Sequence, residues 1–151
     1  EDVKATWVGI GFRIGDQQFV AALDEVAEIF SCPVLSRVPG TRAWVKGIAN
    51  VRGTLIPILD LKGCLTGRLS SQTPHSRVLV VNQVGVLSGL LVDEVLGLKH
   101  FLQEERVGEL PEVDTAVRPY IYAAYEQDGQ YWGVMSMRTL VENPAFLQVA
   151  V

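Results

Sequence analysis

A mainly β fold, arranged as two similar barrels, is what this sequence predicts. Three observations carry the prediction. Apolar residues alternate with small or polar ones over several short stretches, glycine-centred turns join those stretches in pairs, and one five-residue pattern occurs twice, 69 positions apart.

Val8, Ile10, Phe12 and Ile14 alternate with Gly9, Gly11 and Arg13 before Gly15-Asp16 turns the chain into residues 19–23. Alternation at period two marks a half-buried strand, so this is a hairpin. Residues 45–51 and 54–61 are two β-branched, apolar strands broken at Gly53. Pro57 has no N–H to give to a ladder, which assigns it to an edge or a bulge. A hairpin over 77–82 and 86–92, joined across 83–85, and another over 120–126 and 131–137, turned at Asp128-Gly129, complete the strands. Helix is confined to a turn near 41–44, a short piece near 61–65 and a terminal piece over 139–146 interrupted by Pro144.

Two polar stretches punctuate the pattern. Residues 62–76, rich in Gly, Ser and Thr, join two halves. Residues 99–119 are acidic and irregular, a length that in a compact domain marks a functional or mobile loop. The repeated pattern is Ala22-Leu23-Asp24-Glu25-Val26 against Leu91-Val92-Asp93-Glu94-Val95, each copy following a hairpin.

Composition narrows the class. With 151 residues, 48% apolar and 20% charged, the chain has enough apolar surface for one ordinary folded domain. Its longest apolar runs, such as 78–81 and 90–92, fall far short of the roughly 20 residues of a membrane span, and no signal-peptide pattern opens the chain. Cys32 and Cys64 are too few for a disulfide framework and fit thiols in a reducing compartment, so a cytoplasmic location is expected. The net charge of −4 is uneven: −4 over 1–28, +6 over 29–92 and −6 over 93–128. These charges either pair across the folded surface or form opposed faces suited to head-to-tail association.

Catalytic teams are missing. Gly9, Gly11 and Gly15 are spaced one residue too long for a dinucleotide fingerprint and lead into a strand turn. His75 and His100 have no nucleophile or carboxylate at triad spacing, and with Cys32 and Cys64 they show no paired metal-ligand spacing. No enzyme activity, metal or cofactor is expected. Arg37, Arg42, Lys46 and Arg52 could meet phosphates, yet only Trp44 offers stacking in a chain of pI near 5.1, so nucleic acid is not an expected partner. What remains is a binding module that works through its surfaces. Arg52 is its most pointed feature: it sits between two strands, and no acidic residue lies between Glu28 and Asp60. Such a cation needs a distant partner or a ligand.

Seven segments then occur in a telling order: Phe12-x-Ile14-Gly15-Asp16, Val26-Ala27-Glu28-Ile29, Arg37-Val38-Pro39-Gly40, Val45-Lys46-Gly47, Asn50-Val51-Arg52-Gly53, Ile56-Pro57-Ile58-Leu59-Asp60-Leu61 and Leu91-Val92-Asp93-Glu94-Val95-Leu96-Gly97. Over roughly residues 8 to 142 this set resembles the CheW-like chemotaxis adaptors. Residues 7–12 and 47–53 are most similar to PilI-type adaptors of type IV pilus (twitching motility) chemosensory systems.

The resemblance implies two five-stranded SH3-like barrels packed on a shared core. It implies a single domain, 1–151, with approximate halves 8–61 plus a C-terminal segment and 77–137. It also implies a noncatalytic adaptor that couples the cytoplasmic tip of a chemoreceptor to the regulatory domain of a CheA-type histidine kinase. Such a protein is recruited to receptor arrays at the inner membrane without inserting into the bilayer. Kinase docking falls on an apolar edge at Ile10, Leu23, Val26 and Ile29, with ordinary core as the other reading for Ile10 and Ile29. Receptor binding, helix in groove, falls on Val38, Gly47 and Arg52, with Glu28 as the partly buried ion-pair partner of Arg52. For Gly47 the other reading is a backbone requirement at a turn or bulge. Two further identities stand beside the adaptor: a CheW-like regulatory domain cut from a CheA-type kinase, and a small-ligand-binding barrel protein. The chain departs from the family pattern at Val134-Met135-Ser136-Met137 and lacks a glycine around Ala123, so no receptor contact is carried onto the second half.

Overall fold

The computed structural model describes residues 6–83, 85–110 and 112–143. Among them run β1 (Thr6–Ile14), β2 (Gln17–Ala22), β3 (Glu28–Ser31), β4 (Val45–Val51), β5 (Thr54–Asp60), α1 (Leu61–Thr66), β6 (Arg77–Gln83), β7 (Val86–Val92), β8 (Glu94–Leu102), β9 (Ile121–Gln127), β10 (Gln130–Met135) and α2 (Met137–Glu142). They form two five-stranded sheets of order β8-β1-β2-β10-β9 and β3-β6-β7-β5-β4.

The two sheets repeat one design. Each holds two antiparallel hairpins joined through one parallel pair, β2 with β10 and β5 with β7, and takes its fifth strand from a crossover. The crossovers are where the repeated Leu-Asp-Glu-Val and Val-Asp-Glu-Val patterns stand. After β2 the chain passes through a 3-10 turn at Leu23–Glu25 and becomes β3 of the other sheet, and after β7 it becomes β8 of the first. The sequence echo therefore marks the two places where the chain changes sheets.

Each sheet closes on itself. The segment after β3 bridges back to β4 at Ser36–Ile48, and the segment after β8 bridges to β9 at Arg106–Tyr125. Bulges bend both closing strands, at Val45/Gly47 opposite β5 and at Val134/Met135 of the β9–β10 ladder. Two closed sheets give three apolar clusters. One barrel is filled by Val20, Phe101, Ala123, Tyr125, Trp132 and Val134, and the other by Ala49, Ile56, Ile58, Val78, Val80 and Leu91. Between them a shared core takes Phe12, Phe19 and Met135 from one sheet and Leu59, Leu79 and Leu90 from the other. The first barrel is aromatic, with Phe101 and Tyr125 stacked at 4.7 Å, while the second is aliphatic.

Several expectations need correction. β5 lies inside its sheet, so Pro57 is on no edge strand. It avoids the cost of a missing donor because β5 meets β7 only over Ile58–Asp60. The stretch 99–119 is not all loop, since β8 continues to Leu102 and a 3-10 turn follows at Gln103–Glu105. The short helix expected near 61–65 is α1, which takes up the first residues of the expected linker. α2 starts earlier than expected, and Pro144 and Phe146 lie outside the described residues. The uneven charges are joined in part across the fold, through Arg13–Glu94 at 3.1 Å, Arg52–Glu28 at 2.8 Å and Arg68–Asp114 at 3.0 Å.

Candidate functional site

The β4–β5 hairpin carries Arg52 at its tip with φ of +53°, followed by Gly53 at +83°. Two successive left-handed residues make the tight turn whose twist matches the flanking strands, and the Asn50 Oδ1 accepts from the Gly53 N–H at 2.9 Å. Glycine, asparagine and aspartate take that conformation at least cost; arginine does not. From this tip the guanidinium reaches Glu28 Oε1 at 2.8 Å. Glu28 lies on β3 and Arg52 follows β4, the two edges of one sheet, so the pair spans the seam where the barrel closes.

The expected pair is therefore present; Glu28 is partly buried as expected, whereas Arg52 is not. The side chain of Arg52 is 81% exposed and that of Glu28 29%. A pair so open to water contributes about 0–1 kcal/mol, and its loss strands no buried charge.

The other expected residues separate by exposure. Leu23 and Ile29 are surface side chains, at 45% and 37% exposure. Val26 is half-buried and packs on the shared core, and Ile10 belongs to that core at 9%. At the start of β3 Ile29 is turned outward while Glu28 sits half-buried; Phe30 and Ser31 follow the usual order, in and out. Val38 is half-buried in the loop before β4, its carbonyl accepting from Thr41 Oγ1 at 2.7 Å. Gly47 is buried with φ of +148°, and a Cβ there would lie 2.7 Å from the Ser36 carbonyl oxygen and 3.0 Å from Leu35 Cβ. The neighbouring Ile48 N–H donates to Ser36 O at 3.1 Å, closing the barrel. Gly47 thus answers to a backbone requirement at a bulge.

Two residues escaped the sequence reading. Glu25 accepts from the backbone N–H groups of Met137 and Arg138, both at 3.1 Å, across more than a hundred residues of chain. Its place in the repeated Asp-Glu pattern was visible, but its partner was not. Asp60 is fully buried, and its Oδ2 accepts from the Ser70 N–H at 2.7 Å, fastening the segment after α1 to the end of β5. Burial, then the nearby charge of Asp60, pushes the Cys64 thiol up to about 12, and burial raises Cys32 against the opposing effect of Lys46. Both cysteines are free, and both shifts favour the neutral thiol over the thiolate.

Among the described residues no three His, Cys, Asp or Glu side chains group as metal ligands, and no helix is long and apolar enough to cross a membrane. The space between the sheets is taken by the shared core. A cleft of about 570 Å³ over the β2–β10 seam, lined by Asp16, Gln17, Phe19, Glu112 and Tyr131, opens to solvent.

The chain matches the family model of the CheW-like domain over residues 8–145. It is 42% identical to protein PilI of Pseudomonas aeruginosa over 151 residues, which is 100% of this chain and 84% of that protein. It is 31% identical to a probable chemotaxis protein CheW of Rhizobium etli over 106 residues, 70% of this chain and 68% of that one. The crystal structure of the scaffolding protein TtCheW from Thermoanaerobacter tengcongensis superposes with a TM-score of 0.78 at 21% identity, covering 93% of this chain and 96% of that chain. At that identity the likeness establishes the fold of two SH3-like barrels.

Proposed function

The chain belongs to the CheW-like family, and from that premise we propose that it couples a chemoreceptor to the regulatory domain of a CheA-type histidine kinase. It is a noncatalytic adaptor of chemotaxis-like signalling, and its likeness to PilI along its whole length favours a type IV pilus system. It works in the cytoplasm, as one domain whose two barrels are locked by the shared core, and receptors draw it to the inner membrane. That full-length likeness also favours the adaptor over a regulatory domain cut from a kinase.

The observation that carries this reading is the outward Ile29 on the edge strand β3. Ile29 on β3 is turned to solvent, Leu23 in the preceding turn is exposed, and Val26 is half-buried on the core. An apolar side chain set outward on an edge strand, with an exposed leucine in the turn that leads to it, fits a protein partner better than water. Ile10, the fourth expected residue, lies in the shared core on which Val26 also packs. Receptor binding falls to the hairpin tip at Arg52 with Glu28 and to Val38 in the segment before β4, while Gly47 shapes the backbone where that segment meets β4.

A pulldown with a CheA-type regulatory domain tests the docking edge, wild type against Val26→Asp and Ile29→Asp. Ile29 is exposed, so its substitution leaves the core intact. Both variants should lose the kinase domain while keeping a cooperative thermal transition. Undiminished binding by the folded variants contradicts the reading.

A further inference from the structure

Helix α2 has six residues, too few to hold its own first turn open to water. Its early N–H groups are nonetheless all spoken for. Thr139 N–H donates to the Ser136 hydroxyl at 3.1 Å and Leu140 N–H to the Ser136 carbonyl, which leaves those of Met137 and Arg138. Both donate to one carboxylate, Glu25, one to each oxygen at 3.1 Å. Charge-assisted bonds to a helix start are the strong kind, favoured further by the helix dipole.

The same contact holds the other side. Glu25 ends the 3-10 turn Leu23–Glu25, which contains no buried residue and has no side-chain cap of its own. Downstream the chain is next fixed by the Ala27 N–H donating to Val80 O at 2.7 Å. Between β2 and that bond, Glu25 is the tie described for the turn that presents Leu23 and leads into Val26. The equivalent position of the other crossover is spent differently. Glu94 pairs with the Arg13 side chain at 3.1 Å, and Asp93 takes the Gly15 N–H at 2.6 Å. Among the described residues, the first crossover is fastened to a helix and the second is not.

We infer that Glu25 is a positioning residue of the kinase-docking edge, clamping the Leu23–Glu25 turn to the start of α2 so that Leu23 and Val26 are held for the partner. This rests on the docking reading above. Through the clamp, the C-terminal helix becomes part of the machinery that shapes an edge formed by the N-terminal third of the chain. Partial burial of its hydroxyl, then the charge of Glu25, raises the pKa of Tyr122 on β9 above its ordinary value.

The test uses the whole chain with Glu25→Ala, Glu25→Gln, Glu94→Gln and Val26→Asp, titrated with a CheA-type regulatory domain well below each thermal midpoint. Amide hydrogen exchange at Met137 and Arg138 is followed in parallel. Glu25→Ala should weaken kinase-domain binding about tenfold, with Glu25→Gln between it and wild type, because the amide keeps one acceptor. Exchange at the two amides should quicken by a similar factor, and Glu94→Gln should bind as wild type does. A merely structural role would lower the melting temperature and leave the affinity of the folded protein alone. If Val26→Asp abolishes binding while both Glu25 variants bind as wild type, the inference is overturned and the docking reading survives. If folded Val26→Asp also binds as wild type, both are overturned.

Discussion

Two hairpin tips, Arg52-Gly53 between β4 and β5 and Asp128-Gly129 between β9 and β10, occupy the same place in the two barrels and have nearly the same backbone. Their φ values are +53° and +83° in one and +54° and +77° in the other. The second uses the residue pair that suits such a turn; the first places a long cation where Asp, Asn or Gly is easier. The seams beside them differ as well. One barrel is closed by the exposed Arg52–Glu28 ion pair, and the other by the Gln127 side chain donating to His100 O at 3.0 Å. A backbone cost accepted at one tip and avoided at its twin is what the receptor contact proposed for Arg52 would account for. The same asymmetry separates Gly47, which must be glycine at its bulge, from the corresponding bulge of the other barrel, where Ala123 fits with its Cβ buried.

The largest expected effect tests that last contrast. Gly47→Ala drives a Cβ into the Ser36 carbonyl in a conformation that L residues avoid, and should cost about 2 to 3 kcal/mol in denaturant unfolding. Ala123→Gly should cost about 1 kcal/mol or less. Equal costs would break the claim that only one barrel needs the close approach. The helix starts come next. Ser136 caps α2 through its side chain, whereas Asp60 at the start of α1 spends its carboxylate on Ser70. Ser136→Ala should therefore lose about 1 kcal/mol of stability, read from the thermal midpoint. The smallest effect belongs to Arg52→Asn, which removes the ion pair and relieves the left-handed arginine. The two changes oppose each other, and the stability should stay within about 1 kcal/mol of wild type.

How much of this could be read from the chain follows from the range of each interaction. The four hairpins rest on alternation and turn residues within about a dozen positions, so they were legible with their boundaries nearly right. β3 and β8 were not. Four residues are too few to show a period, and β3 begins by turning Ile29 out. In β8, Gly97 at φ of +88° and the polar Lys99-His100 break the alternation over a register shift. Pro57 was misplaced because the end of a parallel ladder leaves no mark in the sequence. At the site, the Glu28–Arg52 pair was reached through the family resemblance, but the exposure of Arg52 was not, because a turn tip looks buried when its neighbours are apolar. Glu25 and Asp60 act on backbone N–H groups, which carry no side-chain signature at all.

The central claim is that Arg52 is kept at a strained turn for a partner. Its most direct test is the binding of a receptor's cytoplasmic tip to wild-type and Arg52→Asn protein at one temperature, well below both melting transitions. Loss of receptor binding by a variant as stable as wild type, with binding of the kinase regulatory domain retained, is the predicted result. Receptor binding equal to wild type would contradict the account.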